Sequence, residues 1–177
     1  MKRFLISLLI LCLLAGPALA ESAQSYESLT NTQLGLTMPY PTGWTSNPGT
    51  STICFLEPTT GGAAASRLAV TVKQVSDSLS AAQLEEQINS YSSAISSLYG
   101  QFTVTEITTD SQFLNTRAGS LLYTADSNGT PMSGFVTMAC VGKRIYAFHF
   151  SCPTDRFESM SGTIKDLRDG IKLLNAN

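Results

Sequence analysis

The 177-residue chain is short of charge, of histidine and of tryptophan. Asp, Glu, Lys and Arg make up 14% of it, and it holds one His and one Trp. Eleven basic residues stand against thirteen acidic ones, a net charge of −2. That balance excludes a strongly basic surface, and with it nucleic acid or an anionic membrane as the main partner. A lone imidazole excludes metal centres built on two histidines. Long apolar runs are also missing after the first twenty residues, so no stable membrane span is expected beyond them. The shortage of charge does not mean disorder, because 43% of the chain is hydrophobic.

Residues 1–20, MKRFLISLLILCLLAGPALA, have the form of a secretory signal peptide. Lys2 and Arg3 make the basic start, Phe4–Leu14 the apolar run, and Ala18 and Ala20 the small residues of a cleavage site after Ala20. The run is too short to span a bilayer. Leu11 before Cys12 argues against lipidation. Without the leader the chain has nine basic and thirteen acidic residues, and 41 of its 157 residues are Ser or Thr. The expected location is secreted or periplasmic, with residues 21–33 a short polar tether and 34–177 a single domain.

Alternation of apolar and polar residues predicts strands at Leu34–Tyr40, Thr52–Glu57 and Arg67–Val75. Pro41–Trp44 reads as a turn, Thr45–Thr50 as loop, and Pro58–Ala65 as a small-residue loop. Ser80, followed three residues on by Gln83, is a capping box. The stripe Leu84, Ile88, Tyr91, Ile95 and Leu98 predicts an amphipathic helix ended by Gly100. Strands follow at Phe102–Thr108, Thr116–Ala125, Met132–Val141 and Ile145–Cys152. Asn128-Gly129 and Gly142-Lys143 supply turns for two hairpins. Phe157, Met160, Ile164, Leu167, Ile171 and Leu174 predict a terminal helix that starts at Thr154. The order is βββ-α-ββββ-α, and the last two strands are apolar on both faces, as in a sheet covered on both sides.

This order, with Leu34-Gly35-Leu36-Thr37-Met38-Pro39-Tyr40-Pro41-Thr42-Gly43-Trp44 near its start, resembles the PsbP-like family. So do Arg144–Phe150, Cys152-Pro153 and the terminal amphipathic helix. The family takes its name from an extrinsic protein of photosystem II and shares its fold with a Ran-binding nuclear-transport factor. The resemblance implies an α+β fold, an α/β/α sandwich around a mainly antiparallel sheet of about seven strands with two main helices. It also implies a non-enzymatic role. No ligand cluster matches the manganese–calcium support of the photosynthetic members, so no cofactor is expected.

The residues carry little other chemistry. His149 sits mid-strand among aromatics, as a packed sheet histidine or, alternatively, a base or ligand. Cys152 is three residues away and so points to the opposite face, against a Cys–His dyad. Asp126–Gly129 lacks the ligands of a calcium loop, and Gly61-Gly62 lacks the lysine of a phosphate cradle. Of Cys54, Cys140 and Cys152, the hairpin register holds the last two about 24 Å apart. A disulfide, if formed, must therefore use Cys54; three free thiols are the alternative. Trp44 either folds back on the sheet or meets a partner. The expected function is a non-catalytic, exported accessory protein of the bacterial cell envelope that binds an envelope protein. A small-ligand or metal-binding module is the alternative, and a hydrolase or thiol enzyme comes third. Trp44, Tyr146 and His149 are the candidate contacts.

Overall fold

The computed structural model describes residues 24–61 and 63–174. The leader read at 1–20 lies outside the described residues. In chain order the elements are β1 (Tyr26–Asn31), β2 (Leu36–Pro41), β3 (Thr45–Pro48), β4 (Thr52–Leu56) and β5 (Arg67–Gln74). Then come α1 (Ala81–Ser96), β6 (Gln101–Phe113), β7 (Thr116–Ser127), β8 (Thr130–Val141) and β9 (Arg144–Pro153). The chain closes with α2 (Thr154–Phe157), α3 (Ser161–Asp169) and β10 (Lys172–Leu173).

Seven strands form one antiparallel sheet in the order β3-β4-β5-β9-β8-β7-β6, and β1-β2-β10 form a second, smaller sheet. One face of the large sheet carries α1. The other carries the small sheet with α2 and α3. The apolar periods account for this arrangement. In α1, Leu84, Ile88 and Ile95 are buried against β7 and β8. On the opposite face, Leu36 and Met38 of β2 and Ile164 and Leu167 of α3 bury with Ile53, Phe55, Leu68 and Val70. β9 lies between both layers and is buried along its eight central residues. The result is an α+β sandwich.

The local signals act where they were read. Ser80 Oγ accepts from Gln83 N at 3.3 Å, and Ser80 N donates to Gln83 Oε1 at 2.9 Å. Asn128 and Gly129 both take positive φ and close the β7–β8 hairpin. Cys140 faces Ile145 and Cys152 faces Ser133.

Four expectations are corrected. The polar tether begins a strand: β1 pairs with β2 from Tyr26 opposite Pro41 to Asn31 opposite Leu36. Backbone bonds hold this edge strand, so it needs no apolar period. Thr45–Pro48, read as loop, pairs with β4 as β3, although all four residues are exposed. The terminal helix is broken in two, and beyond Gly170 the chain turns so that Lys172 and Leu173 pair with Thr37 and Leu36. α1 stops at Ser96, which leaves Leu98 off the buried stripe and 67% exposed. Among the described residues, no helix is long and apolar enough to cross a membrane.

Candidate functional site

β9 sorts the candidate residues by face. Tyr146, Phe148, Phe150 and Cys152 point to the small sheet and α3, whereas Ile145, Ala147 and His149 point to α1. Tyr146 and His149 therefore stand on opposite faces and cannot line one pocket. Trp44 stands on the Tyr146 side, half-buried, its ring stacked over Phe150 with centroids 6.3 Å apart. Tyr146 is buried in the core at 4% exposure.

His149 is buried. Its Nε2 lies 2.7 Å from Tyr123 Oη, and the Tyr91 ring packs against it in a T-shaped pair with centroids 6.0 Å apart. Tyr123 reaches this position because its cross-strand partner is Gly134, where a Cβ would collide with the phenol ring. Burial, with the positive charge of Arg67 adding to it, holds the imidazole down to about 3. Burial also pushes the Tyr123 hydroxyl well above its ordinary 10. Both groups are thus neutral near pH 7, and in the Nδ1–H tautomer Tyr123 donates to Nε2. A base with so low a pKa is far from the value near 7 that general-base catalysis favours.

The thiols are dispersed, and all three are free. Cys152 lies on the face opposite His149, and burial pushes it up to about 11, which keeps it a thiol. Cys140 Sγ donates to Gly142 O at 3.5 Å. Cys54 is opposite Ala69, and Ala69 is opposite His149, so these three form one row across β4, β5 and β9 on the α1 side. Arg67 extends beside that row, its Nε donating to Cys54 Sγ at 3.1 Å. α1 packs on β6, β7 and β8, reaches β5 through the Lys73 Nζ–Gln87 Oε1 bond of 3.0 Å, and does not extend over the same face of β3 and β4. Along this side of α1 runs a cavity of about 220 Å³, lined by Thr52, Arg67, Thr71, Tyr91, Leu98 and His149, with Ala69 also in its wall.

Sequence reasoning singled out His149 and missed Arg67, Cys54, Tyr91 and Tyr123 as its neighbours. Alternation along β5 puts Ala69, Thr71 and Lys73 on one face. Only the pairing of β5 with β4 and β9 brings Cys54 and His149 to that face.

A charge clamp lies at the end of β4. Arg156 Nη1 and Nη2 donate to Glu57 Oε2 and Oε1 at 2.9 and 2.7 Å, and Ser66 N donates to Oε2 at 3.0 Å. The Arg156 guanidinium holds the Glu57 carboxyl down to about 2, against an opposing effect of burial. The clamp ties β4 to α2, and its partners are both satisfied. Among the described residues, no group of three His, Cys, Asp or Glu is placed to hold a metal ion.

No family model and no curated protein sequence matches the chain. Solved structures do. The cyanobacterial PsbP of Synechocystis superposes with a TM-score of 0.58 at 12% identity, over 90% of this chain and 98% of that one. LpqN of Mycobacterium tuberculosis, described as involved in cell envelope biogenesis, gives 0.56 at 10%, over 85% and 91%. A Bacteroides thetaiotaomicron protein gives 0.58 at 10%, over 85% of this chain and 49% of that one. At such identities the likeness concerns the backbone: this chain has the PsbP-like fold.

Proposed function

We propose that the chain is an exported accessory protein of the bacterial cell envelope that works by contact with another protein and catalyses no reaction. On this reading residues 1–20 are removed after Ala20, and the remainder acts as one domain outside the cytoplasm. One observation carries it: α1 does not extend over the α1-side face of β3 and β4, and Leu56 on β4 and Leu98 after α1 stand 43% and 67% exposed on that side. We place the partner contact at these two side chains, since apolar surface left to solvent is where a protein partner gains most. The buried, neutral His149 and the scattered thiols support the non-catalytic half of the reading. A fold alone does not set a function, but an envelope protein among the structural neighbours agrees with this one.

The test is site-specific photocrosslinking in the exporting cell, from Leu56 and Leu98 on that side and from Ile107 on β6 at the far edge. The expected result is a discrete protein adduct from the first two positions and none from Ile107. Equal adducts from all three, no adduct from any, or retention of the chain in the cytoplasm with its first twenty residues intact would refute it.

A further inference from the structure

Arg67 is an arginine without a counter-ion. Arg117, Arg156 and Arg168 each pair with a carboxylate; among the described residues Arg67 and Arg144 do not, and Arg144 spends an Nη on the Leu34 carbonyl at 3.4 Å. Its one hydrogen bond runs from Nε to the Cys54 thiol, and neither Nη donates to a described residue. The side chain is nonetheless half-buried at the start of β5. Holding a guanidinium there against a thiol and a cavity leaves its strongest donors unused, since the Nη edge matches a planar carboxylate through two parallel bonds.

The cavity beside it has two kinds of wall. Thr52 and Thr71, whose hydroxyls lie 3.0 Å apart, and the Tyr91 ring form a polar side next to Arg67. Ala94, Ile95 and the exposed Leu98 form an apolar side. Ala69, opposite both Cys54 and His149, keeps the space open because its side chain is a single methyl. The volume of about 220 Å³ is below the roughly 300 Å³ at which pockets for drug-sized ligands begin.

We propose that this cavity binds a small amphiphilic carboxylate. The Arg67 Nη edge takes the carboxylate, and a short apolar tail lies along Ala94, Ile95 and Leu98. One unpaired cation matches one negative charge, and the cavity admits only a short tail. This goes beyond the protein-contact reading and does not depend on it, because the purified protein alone is tested.

The probes are octanoate, 1-octanol (the same tail without the charge) and inorganic phosphate (charge without the tail). Binding to the exported, purified chain is followed by calorimetry and by the NMR signals of His149, the one histidine, whose ring lines the cavity. Octanoate should bind with a Kd on the order of 0.1–1 mM and shift those signals. The other two probes should bind at least about tenfold more weakly, each lacking one of the two contacts. Arg67→Gln should weaken octanoate about tenfold or more, and Arg67→Lys should recover part of the loss. Leu98→Ser, at an exposed position, should weaken it without touching the fold. The proposal is overturned by any of three results: octanoate that does not bind at about 10 mM, phosphate or octanol that binds as tightly, or affinity that survives Arg67→Gln in a folded variant.

Discussion

Acid should destabilise this protein through one side chain in a range where no other side chain has its ordinary pKa. His149 is the single histidine; its imidazole drops from 6.5 to about 3 on folding, chiefly through burial. The folded state therefore holds it neutral while the unfolded chain takes up a proton below pH 6.5. A depressed histidine contributes stability that is fully present above 6.5 and is lost as pH falls toward 3. From pH 7 to pH 5 the loss is about 2 kcal/mol, and it grows by about 1.4 kcal/mol per further pH unit. A domain with a net stability of roughly 5–15 kcal/mol feels this strongly. The assay is urea unfolding at the two pH values, followed by the fluorescence of the sole tryptophan, Trp44, which rests on Phe150. The His149→Gln variant should be less stable at pH 7 but nearly flat between pH 7 and pH 5. The reasoning is refuted if the native-state His149 ring protons titrate near 6.5, or if wild-type stability changes by less than about 0.5 kcal/mol over that interval.

Glu57→Gln should cost about 1 kcal/mol, since the Arg156 partner is 41% exposed and solvent screens the pair. Glu57 is depressed from 4.5 to about 2, so its contribution is present above 4.5 and lost as pH falls toward 2. The acid limb of a stability–pH curve should therefore be shallower in the variant only below about pH 4.5. Gly134→Ala should lower stability by about 2–3 kcal/mol in thermal unfolding, because the added methyl collides with the Tyr123 ring. Ser80→Ala should cost about 1 kcal/mol by removing one half of the α1 capping box. In thiol labelling of the native protein, the buried Cys152 should react far more slowly than the part-exposed Cys54 and Cys140.

The amino-acid sequence by itself determined what depends on neighbours along the chain. The alternation of Arg67–Val75 made a strand, Ser80 and Gln83 started a helix, and Asn128-Gly129 turned a hairpin, because each effect acts within a few residues. The short Gly142-Lys143 turn set the β8–β9 register and thereby held Cys140 and Cys152 apart. Tertiary structure decided the rest. β1 and β3 carry little or no apolar pattern and exist through backbone pairing with β2 and β4. The terminal period of three and four was read as one helix, but the chain breaks it and sends Lys172 and Leu173 to β2, since pairing there also buries Ile171 against the same core. His149 was legible as a strand histidine, yet its neutral state comes from burial, in which Tyr123 and Tyr91 take part, and from the charge of Arg67; these lie 26, 58 and 82 residues away in sequence. The row of Cys54, Ala69 and His149 arises only when three strands pair in register. Sequence patterns report which face a residue takes within its own strand; they do not say which strands lie side by side, and the candidate site is made by that choice.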